Sequence, residues 1–142
     1  MMRFSVCFVG IVLIVLSQVG CQTFVAATEN VYSEKNSLML RDLASAIVIY
    51  AQHHYRFPES LETLYKDGKY LADESRAKSV VTGKWYVYVA NGERWPVKDA
   101  GEFIVAYDER EEAGGYLCAF ADGRVAAMPV KVVKEQLKER GK

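Results

Sequence analysis

The hydrophobic period of the chain changes near Lys84, and this change limits the possible folds more than any other feature. Between residues 34 and 54, apolar side chains recur every three or four positions, as on one face of a helix. After Lys84 the period becomes two, which is the period of a half-buried strand. A long helix with one apolar face must be covered, and a following sheet is its obvious partner.

Four apolar stretches carry the strand period, and each is bounded by turn or loop residues. They are KWYVYVA (84–90), EFIVAYD (102–108), GYLCAFA (115–121) and RVAAMP (124–129). Pro129 limits the fourth stretch to an edge or an end of the sheet. We therefore predict an α+β domain over residues 37–142, in which a long N-terminal amphipathic helix packs on a three- to four-stranded antiparallel sheet.

The connecting segments follow from local signals. Pro58 must end the long helix at or before Phe57, and FPESLETLYKDGKYL (57–71) predicts a short second helix. Residues 72–83 have no strong period and predict a polar loop or a fraying helix. DEREEAGG (108–115) predicts a charged loop, and VKVVKEQLKERGK (130–142) predicts a short C-terminal helix.

The first 20 residues have the composition of a secretory signal peptide. Arg3 is their only charge, the stretch from Phe4 to Leu16 is almost wholly apolar, and small or polar residues follow. The apolar run is shorter than the roughly 20 residues that a membrane-spanning helix needs. We therefore assign residues 1–20 to a signal peptide and expect the rest of the chain outside the cytoplasm.

Cys21 follows this segment directly and comes after the small residue Gly20. The arrangement resembles a bacterial lipoprotein signal, in which such a cysteine is lipidated and becomes the mature N-terminus. Gln18 stands where that family prefers an aliphatic residue. The resemblance implies a lipidated Cys21, a tether over residues 21–36 and a membrane partner held through the lipid. The alternative is cleavage after Ala27, which would give a secreted domain without lipid.

Composition excludes several classes of function. The 18 basic and 18 acidic residues cancel and form no basic stripe, so we expect no nucleic-acid partner. The chain has no glycine-rich phosphate loop, no Cys/His spacing for a metal and no recognisable nucleophile with its base. His53 and His54 are adjacent and should point about 100° apart on a helix. We predict no catalytic residue, no metal site and no cofactor, hence a protein that is not an enzyme.

Two short acidic features have structural interpretations. Asp122 and Gly123 lie between two apolar runs, where Asp-Gly is the signature of a tight hairpin turn. Carboxylates at 108–112 carry oxygens that calcium accepts, but their spacing matches no calcium loop. A charged surface loop is the favoured interpretation, and a calcium site is the alternative. Cys118, the only cysteine in the predicted domain, is expected to be a small buried hydrophobe.

Aromatic residues near the first strand are the candidate binding surface. Trp85, Val87 and Val89 share one strand face, and Tyr86 and Tyr88 share the other. If the first set packs on the helix, both tyrosines project outward with Trp95 in the following loop, and the three suit a protein or glycan partner. The alternative is that this second face is covered as well.

Two segments resemble the globular domain of type IV pilin-like proteins and type II secretion pseudopilins. The first is RDLASAIVIYAQHHYRFPESLETL (41–64), with its Arg-Phe-Pro link before a small helix. The second, GGYLCAFADGRVAAM (114–128), is similar to the closing hairpin of the prepilin-type processing-associated family named for its His-x9-Asp-Gly motif. Glu112 stands where that family has histidine. Val15 stands where pilins have a glutamate, five residues after the glycine cut site.

The resemblance implies a pilin-like head on a lipoprotein-type anchor. Such a protein would have a structural or binding role in the cell envelope, with an envelope or secretion-system protein as partner. The alternative is a minor pseudopilin-like component of a type II secretion or type IV pilus system, which would keep its N-terminal apolar helix in the mature chain.

Overall fold

Helix α1, residues 33–54, opens the part of the chain that the computed structural model describes, which is residues 33–112 and 114–142. The signal peptide at 1–20, Cys21 and most of the predicted tether lie outside the described residues. The chain is already helical at residue 33, and Asn36 is buried. Residues 35–142 form one compact unit.

The apolar stripe of α1 lies in the main core of the domain. Its fully buried members share the period that the sequence shows, and they are Leu40, Leu43, Ala44, Ile47 and Ala51. The same core cluster includes Val105, Ala106 and Ala119 from the sheet. Burying a side chain of this size contributes about 1.5–3 kcal/mol for Leu or Ile, so this stripe is a principal source of stability.

Helix α1 ends through a left-handed residue. Tyr55 has φ 56° and follows the last helical residue directly. This is the conformation that usually closes a helix, and glycine usually supplies it. The Tyr55 carbonyl accepts a hydrogen bond from the Trp95 backbone N–H at 3.1 Å, so the turn is tied to the loop after the first strand.

We expect Tyr55→Gly to stabilise the domain by about 0.5–1 kcal/mol, because glycine adopts positive φ without the Cβ clash. The side chain is 75% exposed, so little packing is lost. Tyr55→Ala is the matched control, since alanine keeps the Cβ and should give no gain. Urea unfolding of the three proteins measures the difference, and equal midpoints for the Gly and Ala variants would contradict the explanation.

The segment after α1 is held by short elements. Helix α2, Glu62–Tyr65, is a single turn, and a 3-10 helix follows at Glu74–Ala77. The backbone N–H groups of Tyr70 and Leu71 both donate to the Leu64 carbonyl. The predicted second helix is therefore present but short, and the predicted polar segment 72–83 contains one ordered helical turn.

The sheet has four antiparallel strands in the order β1-β2-β3-β4. The strands are β1 Val87–Tyr88, β2 Ile104–Glu112, β3 Gly115–Phe120 and β4 Val125–Pro129. Helix α3, Val130–Glu139, follows β4 directly. This combination of helices with one antiparallel sheet confirms the predicted α+β class, and Pro129 lies at the end of an edge strand as expected.

The predicted charged loop at 108–115 is wrong. Strand β2 continues to Glu112 and β3 begins at Gly115, with Asp108 opposite Leu117 and Glu111 opposite Tyr116. The pairing register of β2 with β3 shifts between Asp108 and Glu111, as it does where a strand contains a β-bulge. The strand extends this far because Asp108 is not a solvated loop residue; it is 5% exposed and hydrogen-bonded inside the domain.

A second apolar cluster includes residues from α3. Val133 of this helix is fully buried and shares a cluster with Val89, Ile104, Cys118 and Phe120. The alternation along β3 accounts for the division, because Cys118 and Phe120 belong to this cluster and Ala119 to the main core. Successive residues of β3 thus contribute side chains to the two different apolar clusters.

The closing hairpin has the turn that the Asp-Gly pair predicts. Gly123 has φ 84°, and Asp122 Oδ1 accepts a hydrogen bond from the Arg124 backbone N–H at 2.9 Å. Its ion pair with Arg124 is loose and exposed, at 3.8 Å, so it contributes little. The geometry gives Asp122 the role that a tight turn needs.

We expect Gly123→Val to destabilise the domain by more than about 1 kcal/mol, because a β-branched residue resists positive φ. The space around the Cβ position is open, so the cost is one of backbone conformation and not of crowding. Asp122→Asn is the companion variant and should be nearly silent, since an amide oxygen accepts the same bond. Chemical denaturation measures both, and a large loss for Asp122→Asn would contradict the turn assignment.

Candidate functional site

The candidate aromatic surface does not face solvent as a set. Tyr86 is only 2% exposed, and its hydroxyl donates to Asn36 Oδ1 at 2.7 Å. Tyr88 is half-buried, and its hydroxyl donates to the Pro58 carbonyl at 2.7 Å. Trp95 is half-buried and meets the Phe57 ring edge-on, with centroids 5.6 Å apart. The expectation that the tyrosines project outward is wrong.

The tyrosines are covered because each face of the first strand packs against an apolar cluster. Tyr86 belongs to the main core with α1, whereas Val89 lies in the cluster that contains Val133 of α3. Both faces of the strand are thus covered, which was the alternative interpretation. Burial raises the pKa of Tyr86 above that of a free phenol, and the nearby Asp108 carboxylate adds to the shift. Burial likewise raises the pKa of Tyr88.

Trp85 is the residue of this strand region that faces solvent, with 44% of its surface exposed. It stacks on Tyr65 at 6.1 Å, and Lys78 Nζ lies 4.7 Å from its ring centroid. The backbone bridge between Lys78 and Trp85 fixes these neighbours. Sequence alternation groups Trp85 with Val87 and Val89 on one strand face but does not say whether that face is buried at Trp85.

A buried polar network joins the start of α1 to the sheet. Asn36 Nδ2 donates to Asp108 Oδ2 at 2.8 Å, while Asn36 Oδ1 accepts from Tyr86 and from the Val80 backbone N–H. Asp108 Oδ1 also accepts from the Arg110 backbone N–H at 3.0 Å. Asn36 and Asp108 are nearly inaccessible to solvent. Every member thus has a partner within the fold, which is the pattern of a structural network.

The remaining chemical candidates have structural surroundings. Cys118 is a free, buried thiol, and burial raises its pKa to about 12, so it is protonated at neutral pH and a poor nucleophile. Over residues 33–112 and 114–142, no three or more His, Cys, Asp or Glu side chains form a group that could hold a metal ion. Asp108, one of the carboxylates in the alternative calcium interpretation, accepts a hydrogen bond from the Asn36 amide through Oδ2.

The two histidines meet at one oxygen. His54 Nε2 lies 3.1 Å from the Tyr70 hydroxyl, and His53 Nδ1 lies 3.4 Å from the same atom. Adjacent side chains leave a helix in different directions, but the contact uses Nδ1 of His53 and Nε2 of His54. Both nitrogens therefore reach the same hydroxyl. The expectation that the imidazoles diverge is therefore wrong for these atoms. Tyr70 has no sequence signal that links it to the histidines.

Comparison with protein-family models, curated proteins and solved structures found no match. Within the described residues, no helix combines the length and the apolar character needed to cross a membrane.

Proposed function

We propose that the chain is a non-enzymatic lipoprotein of the cell envelope, anchored through Cys21, with a structural or binding role. The sequence of residues 1–21 carries this proposal, because a charged start, an apolar run and a small residue before cysteine together form an export signal with a lipidation site. The membrane would be reached through the lipid, and the partner of the domain would be another envelope protein or a glycan.

The domain supports a binding or structural role over catalysis. Its most distinctive polar side chains, Asn36, Asp108 and Tyr86, are hydrogen-bonded to one another. Arg140 is likewise used inside the fold, on Glu93 and on backbone carbonyls. An enzyme of this size would need convergent polar groups that remain free for a substrate. The polar groups named here are already engaged in holding helices to the sheet.

We further propose that the domain is a pilin-like head in which the long helix α1 packs on the sheet. Support comes from the two matched sequence segments, from the antiparallel sheet and from a core shared by Leu43, Ile47 and Val105. The second candidate is a minor pseudopilin-like component of a secretion or pilus system. The same two segments favour it, whereas Val15 opposes it because pilin assembly uses a glutamate at the corresponding position.

The mature N-terminus decides between these candidates. Intact mass and N-terminal sequence would be measured on the full chain purified from the membranes of its native cells. We expect an acylated chain that begins at Cys21, and Cys21→Ser, the matched control, should lose both the lipid and the membrane association. A lipid-free chain that begins at Thr28 would indicate a secreted domain, and one that begins at Ile11 would favour the pseudopilin.

A further inference from the structure

We propose that His53, His54 and Tyr70 form a binding site for a divalent transition-metal cation of the zinc and copper class. The two imidazole nitrogens converge on the Tyr70 hydroxyl, at 3.1 Å for His54 and 3.4 Å for His53. Imidazole nitrogen is a preferred ligand of zinc and copper. A phenolic oxygen supplies a third donor. The inference is independent of the proposed role in the envelope.

The three side chains can hydrogen-bond to one another without a ligand, and a cation would replace these hydrogen bonds with coordination bonds to the same three atoms. The Tyr70 hydroxyl has one proton, so it donates to one of the two nitrogens and not to both. The other nitrogen must then either donate its own proton or face the oxygen with a lone pair. A metal ion at about 2.0–2.1 Å from each nitrogen would be coordinated by both imidazoles at once, with water completing the coordination.

The ring of Tyr50 contacts two of the three proposed ligands, His54 and Tyr70. The Tyr50 ring stacks on His54 with centroids 4.1 Å apart and meets the Tyr70 ring edge-on at 5.2 Å. Tyr50 lies one turn before His54 on α1, so it fixes the imidazole from the same helix. The Tyr70 backbone is tied to Leu64. Such support reduces the ordering that a ligand must impose when it binds.

The access and charge of the site suit an exchangeable cation. Both histidines are exposed, so the ion can enter from solvent and retain water ligands. Lys69 is a nearby positive charge, with its Nζ 5.3 Å from the Tyr70 ring centroid. This charge opposes the cation, but the lysine side chain is exposed, so solvent and salt screen the repulsion. Ion binding would join the end of α1 to the turn that contains Tyr70.

The test is a zinc titration of the full chain by calorimetry, with thiols alkylated so that Cys7 and Cys21 do not bind metal. We expect one zinc ion per chain. His53→Ala and His54→Ala should each weaken binding at least tenfold, and Tyr70→Phe at least threefold. Two control variants are available, one at the exposed Lys69 and one at the half-buried Tyr65. Lys69→Ala should bind as tightly as the wild type or more tightly, and Tyr65→Phe should bind equally.

Copper(II) gives an independent readout, because its electron paramagnetic resonance reports the number of coordinated nitrogens. We expect two imidazole nitrogens in the wild type and one after either histidine substitution. The proposal is overturned if either histidine variant binds zinc within threefold of the wild type, or if Tyr70→Phe changes nothing. It is equally overturned if calcium, a cation that prefers oxygen ligands, binds as tightly as zinc.

Discussion

Asn36→Ala should lower the free energy of unfolding by about 3 kcal/mol, the largest effect we expect from removing one small polar side chain. The substitution removes the Asn36 amide that donates to Asp108 Oδ2 at 2.8 Å. Leaving a buried polar group without its hydrogen-bond partner costs about 1–3 kcal/mol, and more where that group is charged. Tyr86 also loses its acceptor at Asn36 Oδ1.

Two features reduce the expected loss. Alanine has a higher helix propensity than asparagine by up to about 0.7 kcal/mol, and this gain partly offsets the loss at Asn36. The Tyr86 hydroxyl retains a weaker contact with the Asn36 carbonyl, at 3.4 Å, which offsets a little more. The measurement is urea unfolding, with Asn91→Ala as the matched control because Asn91 is exposed and bonds only Lys142 among the described residues.

Asn36→Asp tests the same network through pH. The new carboxylate would face the Asp108 carboxylate across a hydrogen-bond distance, and two such groups cannot both ionise cheaply, so at least one pKa must rise in the folded state. A raised folded pKa gives stability that is present at low pH and is lost as pH rises through that pKa. The deficit against the wild type should therefore grow from about pH 4 to pH 7. A deficit that is constant with pH would contradict the proposed contact.

Some features of the fold depend only on residues that are close together in the sequence, and these features are predictable from local patterns. The spacing of Leu40, Leu43 and Ile47 predicts one buried face, because a helical period can be recognised within a few turns of sequence, and all three side chains are fully buried. The Asp122-Gly123 turn was equally predictable, because its geometry depends on two residues. These parts of the fold need no knowledge of distant contacts.

The failures involve partners far away in the chain. The charged stretch after Tyr107 predicts a loop by its local sequence, because nothing near it indicates that Asn36, 72 residues earlier, pairs with Asp108 inside the domain. The orientation of Tyr86 depended on which strand face meets α1, and alternation alone leaves that choice open. The meeting of His53 and His54 at Tyr70 depends on a turn conformation that composition does not reveal.

Arg140 is a further residue that the sequence did not single out, because it resembles the other charges of the C-terminal segment. In the structure its side chain is only 18% exposed and lies on Glu93, with Nη2 at 2.7 Å from the carboxylate. It also donates to the carbonyls of Ile104 and Val89, at 2.7 and 3.0 Å. Strand β1 ends at Tyr88, so Arg140 supplies a hydrogen bond just beyond the strand.

We expect Arg140→Ala to lower the free energy of unfolding by about 3 kcal/mol. Removing one partner of a mostly buried ion pair leaves the other charge and the two carbonyls without their donor, and such losses are typically about 3–5 kcal/mol. The value falls at the low end because Glu93 is 31% exposed and keeps Lys142 at 3.8 Å. Lys138→Ala, an exposed change in the last turn of α3 just before Arg140, is the control and should cost under about 0.5 kcal/mol.

Arg140→Met separates packing from hydrogen bonding. The guanidinium carbon lies 3.8 Å from the Phe103 ring centroid, so part of the loss in Arg140→Ala is apolar contact that methionine restores. If the donors dominate, Arg140→Met should recover less than half of the loss in a urea titration, and Arg140→Lys should also fall short because an ammonium group lacks the planar fork. Full recovery by methionine would instead show that α3 is held to the sheet by packing, with the charge of Arg140 dispensable.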